Sequence, residues 1–194
     1  MDANFIKTKF FKDRNSWRRW LSKNNKKADH IWILFFKVNT QKNCLRYSEA
    51  VEEALCFGWI DGILKRIDDQ THMQRFTPRK PGSIWSKINK ERALKMIDEG
   101  KMTQAGMTKI SEAKKNGWWK KAYTTNSDYS IPPALNQALR KDKKALKLFE
   151  KMPKGYRNRY IFWINLAKRE ATKQNRINIF LERLKENKKP GWFD

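Results

Sequence analysis

The longest uninterrupted apolar run in the chain is six residues, Ile31–Phe36. It sits inside HIWILFFKV, His30–Val38, a stretch dense in β-branched and aromatic residues. That is the length of a buried strand and far short of the roughly 18 residues a membrane-spanning helix needs. A buried strand needs neighbours to take up its backbone groups. Two more runs can supply them, Trp59–Ile67 and Met73–Thr77, joined around Asp68-Asp69-Gln70-Thr71 as a hairpin. Pro78–Gly82 then breaks the strand pattern.

The remaining segments carry helical spacing. In Arg14–Lys23, Trp17, Trp20 and Leu21 share one face at i, i+3, i+4. Ser48 is placed to cap a helix in which Val51, Ala54 and Leu55 repeat and which stops at Gly58. Ser83 is placed to cap a second, running through Ser86, Asn89 and Leu94 to Ile97. Thr103 starts a third, reaching Lys115. Loops are expected over 39–46 and 116–129. After Pro132-Pro133 the chain reads as all helix. Tyr156, Tyr160, Trp163, Ile164 and Ala167 form one apolar stripe, and Ile177, Phe180, Leu181 and Leu184 another. The expected architecture is α+β: a small antiparallel sheet packed with helices, followed by a basic all-helical C-terminal half. The corresponding division is 1–129 and 130–194, packed as one unit.

Several chemistries have no residues to carry them. There is no G-x-G-x-x-G, phosphate-binding loop, G-x-S-x-G elbow or H-E-x-x-H pattern. His30 and His72 lack a cysteine or carboxylate cluster at ligand spacing, so no metal and no cofactor is expected. Cys44 and Cys56 exclude a disulfide framework and a zinc ribbon. Cys56, between Leu55 and Phe57, reads as core rather than as a nucleophile, which needs access and a lowered pKa. Met1–Lys12 has no apolar core of a secretory signal. A cytoplasmic protein without integral membrane association is the expectation.

Charge is the strongest compositional signal. Lys and Arg total 44 against 20 Asp and Glu, a formal net charge of +24. Arg140–Lys189 alone holds 17 basic and 5 acidic residues, half of the excess. A surface of this kind attracts polyanions over a Debye length, about 8 Å at physiological salt. Aromatic residues make up 13% of the chain, which a disordered basic tail would not carry.

Chemistry-bearing residues concentrate between Tyr47 and Asn89. The order is Tyr47-Ser48-Glu49-Ala50, then Leu55-Cys56-Phe57-Gly58-Trp59-Ile60-Asp61-Gly62. Phe76-Thr77-Pro78-Arg79 and Ser83-Ile84-Trp85-Ser86-Lys87-Ile88-Asn89 follow. This ordered set resembles the YdeI/OmpD-associated family, also called bacteriocin-protection proteins. Gly100–Gly106 and Ala167-Lys168-Arg169-Glu170-Ala171-Thr172-Lys173, leading to Arg176-Ile177, resemble further family segments. In the latter, Ala171 is an intervening residue and Lys173 stands where arginine is common. The resemblance spans Trp17 to Leu184. It implies a bacterial role in tolerance to cationic antimicrobial peptides or bacteriocins, and lends no reaction and no catalytic residue.

Two sites follow from the residues themselves. If the hairpin forms, Asp61 and Arg79 approach each other beyond the strand ends. Trp59, Phe76 and Trp85 then supply aromatic walls, Asn89 an amide, and Ser83 or Ser86 a hydroxyl at a helix start. Apolar walls with a few convergent polar groups describe a pocket for a small anionic ligand, with the planar fork of Arg79 as its anchor. The plainer alternative makes Asp61-Gly62 a turn, Asp61–Arg79 a structural ion pair, the tryptophans core and Ser83 a cap. The second site is polyanionic: Arg157, Arg159, Lys168, Arg169, Lys173 and Arg176 interleave with aromatic residues, as in single-strand nucleic-acid binders. Its alternative is a solvated basic face. The leading expectation is a non-enzymatic binding protein whose partner is a small anionic ligand or an acidic protein. A nucleic-acid-binding module ranks second, and an enzyme using Asp61 as general base last.

Overall fold

The structure is a computed structural model that describes residues 8–37, 44–124 and 129–186. The loops expected over 39–46 and 116–129 lie partly outside the described residues. The chain divides into two compact units, Met1–Ala122 and Tyr123–Asp194.

The first unit is α+β. Its strands are β1 (Thr8–Lys9), β2 (Ile31–Phe36), β3 (Trp59–Arg66) and β4 (Thr71–Pro78), in the sheet order β1-β2-β4-β3. The three long strands pair antiparallel, as the hairpin pattern requires, and β1 adds two residues parallel to β2. Ile31 stands opposite Phe76, Ile33 opposite Gln74 and Phe35 opposite His72, so these six share one sheet face. Ile33, Phe35, Gln74 and Phe76 are buried on it.

Helices α1 (Arg14–Asn24), α2 (Tyr47–Cys56), α3 (Lys87–Asp98) and α4 (Gln104–Lys115) complete the unit. Helix α2 is buried without interruption from Ala50 to Cys56 and contacts α1, α3, α4 and β3. Trp17 of α1 is fully buried and donates its indole N–H to the Ala50 carbonyl at 3.0 Å. Trp59 donates to the Asn25 carbonyl at 3.1 Å. Buried indoles need such partners for their one donor, and here the bonds also tie α1 to α2 and to β3.

The helix starts show how local chemistry sets boundaries. Asp13 caps α1 by accepting the Ser16 N–H at 2.6 Å. Ser48, expected as the cap of α2, lies inside that helix. The cap is Arg46, in extended conformation, and Glu49 reaches back to its N–H at 3.0 Å. A glutamate at the third helical position can satisfy this donor without any hydroxyl. Ser83 is likewise not a helix cap, because its hydroxyl donates to the Lys80 carbonyl. Ser86 caps α3 instead, accepting the Asn89 N–H at 3.3 Å. Thr103 does begin α4, but its hydroxyl donates outward to the Cys56 carbonyl at 2.6 Å.

That last bond seats the start of α4 on the end of α2. Gly58, at φ +74°, turns the chain out of α2 in a conformation that favours glycine. Gly106 permits the contact: a Cβ there would meet the Cys56 carbonyl oxygen at 2.5 Å, the Leu55 oxygen at 2.7 Å and the Met102 sulfur.

Strand β3 ends the sheet among the described residues. From Gly62 onward it is exposed, including Ile63 and Leu64, with Ile67 just beyond it.

The second unit is all helix: α5 (Pro133–Lys141), α6 (Lys143–Lys151), α7 (Lys154–Asn165) and α8 (Glu170–Lys185). Both expected stripes supply its core. Tyr160, Ile164, Ile177, Phe180 and Leu184 are buried with Leu135, Leu139, Ala145, Phe149 and Ile161, while Trp163 and Leu181 pack at the margin. Asp142 both ends α5 and caps α6, accepting the N–H groups of Lys144 and Ala145. Those bonds, with Lys185 at 3.1 Å, hold its carboxyl below the usual range.

Because two backbone carbonyl oxygens face Gly106 besides the Met102 side chain, Gly106→Ala should cost about 2–3 kcal/mol. Urea denaturation of the two proteins side by side reads the difference.

Candidate functional site

The Tyr47–Asn89 residues fall into two clusters. Asp61, on β3, stands opposite Phe76 and accepts the Tyr47 hydroxyl at 2.6 Å. Tyr47 is the first residue of α2, so this bond fastens the start of the helix to the sheet. At that length it is a charge-assisted hydrogen bond. The Tyr47 ring lies edge-on to Phe35, on which the His72 imidazole is stacked at 5.5 Å. Between Asp61 and Leu64 the β3–β4 register shifts, and the Gly62 carbonyl accepts from the Gln74 amide at 2.8 Å.

Arg79 belongs to the other cluster. It follows β4, is 4% exposed, and stacks its guanidinium over Trp85 at 4.0 Å. It also donates to the Ile84 carbonyl at 3.0 Å. Trp85 meets Trp119 edge to face at 4.9 Å. These contacts hold the 79–85 turn against this aromatic pair. Asn89 gives its N–H to Ser86 and accepts from Arg92. Trp59 and Phe76 are fully buried in the core, Trp59 with its edge against Trp20 and Phe76 with its edge against Trp17. Asp61 thus turns to a tyrosine hydroxyl, and Arg79 to a carbonyl and an indole.

A third cluster carries the strongest electrostatics and was not singled out from the sequence. Glu52 and Glu53 lie within the buried length of α2, 8% and 1% exposed. Arg14 reaches both, at 2.8 Å and 2.6 Å. Arg18 takes the second oxygen of Glu53 at 2.6 Å, and Lys95 the second oxygen of Glu52 at 3.1 Å. Burial tends to lower the arginine pKa values, but the glutamates outweigh it and hold both above the ordinary value. Nearby, burial and the charge of Glu53 push the Cys56 thiol up to about 11. Two acids inside an otherwise apolar helical run were the available sequence signal.

The six residues of the basic C-terminal set divide between structure and solvent. Arg176 stacks over Trp163 at 5.0 Å and donates to its carbonyl, and Arg157 lies over Phe149 at 5.9 Å. Lys173 pairs with Glu170 at 3.2 Å. Arg159 is half-buried. Lys168 and Arg169 are exposed where α7 gives way to α8. Among the described residues no helix is long and apolar enough to cross a membrane, and no cluster of three metal-ligating side chains occurs.

Comparison with known proteins adds two matches. Residues 9–109 match the model of a domain of unknown function, DUF8412. Residues 128–187 match the model described as bacteriocin-protection, YdeI or OmpD-associated. The W-I-D-G, P-R and W-S-x-x-N motifs lie inside the first match, and the Ala167–Lys173 segment inside the second. No curated protein and no solved structure matches the chain.

Two outcomes are expected from this geometry. Arg79→Ala should lower stability by about 2–3 kcal/mol, since it empties a buried stack and leaves the Ile84 carbonyl without its donor; thermal unfolding measures it. At pH 8 a disulfide reagent should titrate the half-buried Cys44 in the native protein. Cys56, buried and with its thiolate disfavoured, should react only after denaturation.

Proposed function

We propose that this chain, which belongs to the DUF8412 family and carries a bacteriocin-protection, YdeI or OmpD-associated domain in its second half, is a non-enzymatic bacterial binding protein that contributes to bacteriocin tolerance from the cytoplasm. The observation that carries the reading is the match of residues 128–187, whose helical unit holds the densest positive charge in the chain. Charge of that sign favours an acidic partner and disfavours direct capture of a cationic peptide, which it repels. Lys168 and Arg169, exposed at one corner between α7 and α8, are the residues of the basic set best placed to meet such a partner. Arg157 and Arg176 are tied to aromatic rings of their own unit.

The roles of the first-unit clusters differ. The Arg79–Trp85 stack and the Glu52–Glu53 cluster are buried and support the fold. The Tyr47–Asp61 pair lies nearer the surface, with Tyr47 39% exposed.

Expression of the chain in a bacteriocin-sensitive bacterium tests the reading. Survival should rise over the empty vector. The Lys168→Glu, Arg169→Glu double variant should lose most of that gain while melting at the temperature of the wild type, because neither side chain is buried. Equal survival with and without the chain would sink the proposal.

A further inference from the structure

Among the described residues Asp61 lacks the cation that several other carboxylates of this chain meet. The chain carries 44 Lys and Arg against 20 acids. Glu52, Glu53, Asp69, Glu99, Glu112, Asp142 and Glu170 all pair with cations. Asp61 is held by a neutral hydroxyl on one oxygen, and among the described residues no cation and no donor reaches the other.

The neighbouring side chains on this sheet face are also acceptors. Asp61 stands opposite Phe76, and Gln74 is the next residue of β4 on the same face. Gln74 is 3% exposed, and its amide nitrogen must face the Gly62 carbonyl, which can only accept. Its carbonyl oxygen therefore points the other way. No partner for it occurs among the described residues, and it is not one of the polar atoms sealed from solvent. Opposite Gln74 in the register is Leu64, 58% exposed. Beyond it His72 rests on Phe35, its ring nitrogens unbonded among the described residues. Burial, and then Lys37, lower the His72 pKa, so the imidazole is neutral at pH 7 and can accept. Arg66, opposite His72, is committed to Asp69 and to the Asp68 carbonyl.

We propose that Asp61, Gln74 and Leu64 form a binding site for an alkylguanidinium group, with the Tyr47 hydroxyl orienting the carboxylate. The planar head of such a group donates paired N–H groups to the carboxylate and further ones to the amide oxygen. Its alkyl stem lies on Leu64, whose exposed surface is otherwise left to water. The acceptors carry the site: an anion would meet one carboxylate and one carbonyl dipole, against only the second amide N–H of Gln74 and the committed tyrosine hydroxyl. The proposal goes beyond the protection reading and stands or falls separately from it.

Isothermal titration of the full chain with n-butylguanidinium and, separately, with the tripeptide Gly-Arg-Gly tests it. Saturable millimolar binding is expected for at least one of them. Stronger binding of the tripeptide assigns the site to an arginine side chain, and equal binding to the small compound. Asp61→Asn, nearly isosteric, should weaken binding about tenfold or more, and Tyr47→Phe less, about threefold. Butyrate should give no saturable heat. Circular dichroism and melting temperature check that both variants fold. Absence of saturation with either cation at about 20 mM, or unchanged binding in folded Asp61→Asn, would overturn the proposal. If both variants unfold, Leu64→Asp, on an exposed side chain, gives the answer: it should tighten binding, and no change in affinity would count against the site.

Discussion

The first unit depends on two carboxylates buried side by side. Glu52 and Glu53 occupy a helix otherwise committed to the core, where an unpaired charge costs several kcal/mol. Each must be met by a cation from outside α2. Arg14 and Arg18 come from α1 and Lys95 from α3, so electrostatic satisfaction and helix placement are one requirement. Arg14 touches both acids and so cannot shift along α2 without abandoning one. Once α2 is fixed, its two ends do further work. Its last carbonyls seat α4, and its first residue reaches across to β3.

This arrangement also explains why the acids are distributed as they are. In a chain of net charge +24, a carboxylate placed at random on the surface would find a lysine or arginine nearby. Among the described residues Asp69, Glu99, Glu112, Asp142 and Glu170 do. Such surface pairs add little, about 0–1 kcal/mol each. Other carboxylate bonds go to the backbone and act locally: Asp142 joins two helices, and Glu49 closes the start of α2. The excess of positive charge is therefore borne by side chains on the surface, while the buried Arg79 has a carbonyl oxygen and an aromatic face among its neighbours.

The sequence carried the architecture well because it is written in periodicity. The Ile31–Phe36 run, the hairpin around Asp68–Thr71 and both C-terminal stripes correspond to observed elements. Boundaries were less legible. Ser48 and Ser83 are good caps by type, but the chain uses Arg46 with Glu49 and Ser86 instead, a choice set by where the backbone turns extended. The candidate site was legible only as a neighbourhood. Asp61 and Arg79 lie close in the motif order, yet the partners they take depend on α2 and on the 80–85 turn, which pair spacing along a hairpin does not encode. Tyr47 was visible as a residue, but its bond to Asp61 joins positions fourteen apart through a helix and a turn. The buried glutamates broke an apolar helical pattern, and that irregularity was the clue to them.

Strand β3 leaves Ile63, Leu64 and Ile67 in water at the end of the sheet, with one backbone edge unpaired among the described residues. An edge of this kind is a template on which a second chain can add. Lys65 and Arg66 sit within the same stretch, and the register shift after Asp61 bends it. Behind these local obstacles stands a global one: two molecules approaching edge to edge bring together charges of +24 each. Ionic strength then acts as a control on colloidal behaviour. In dilute buffer mutual repulsion keeps copies apart, and as the Debye length shrinks towards about 3 Å in molar salt the protection falls back on those two side chains and the bend.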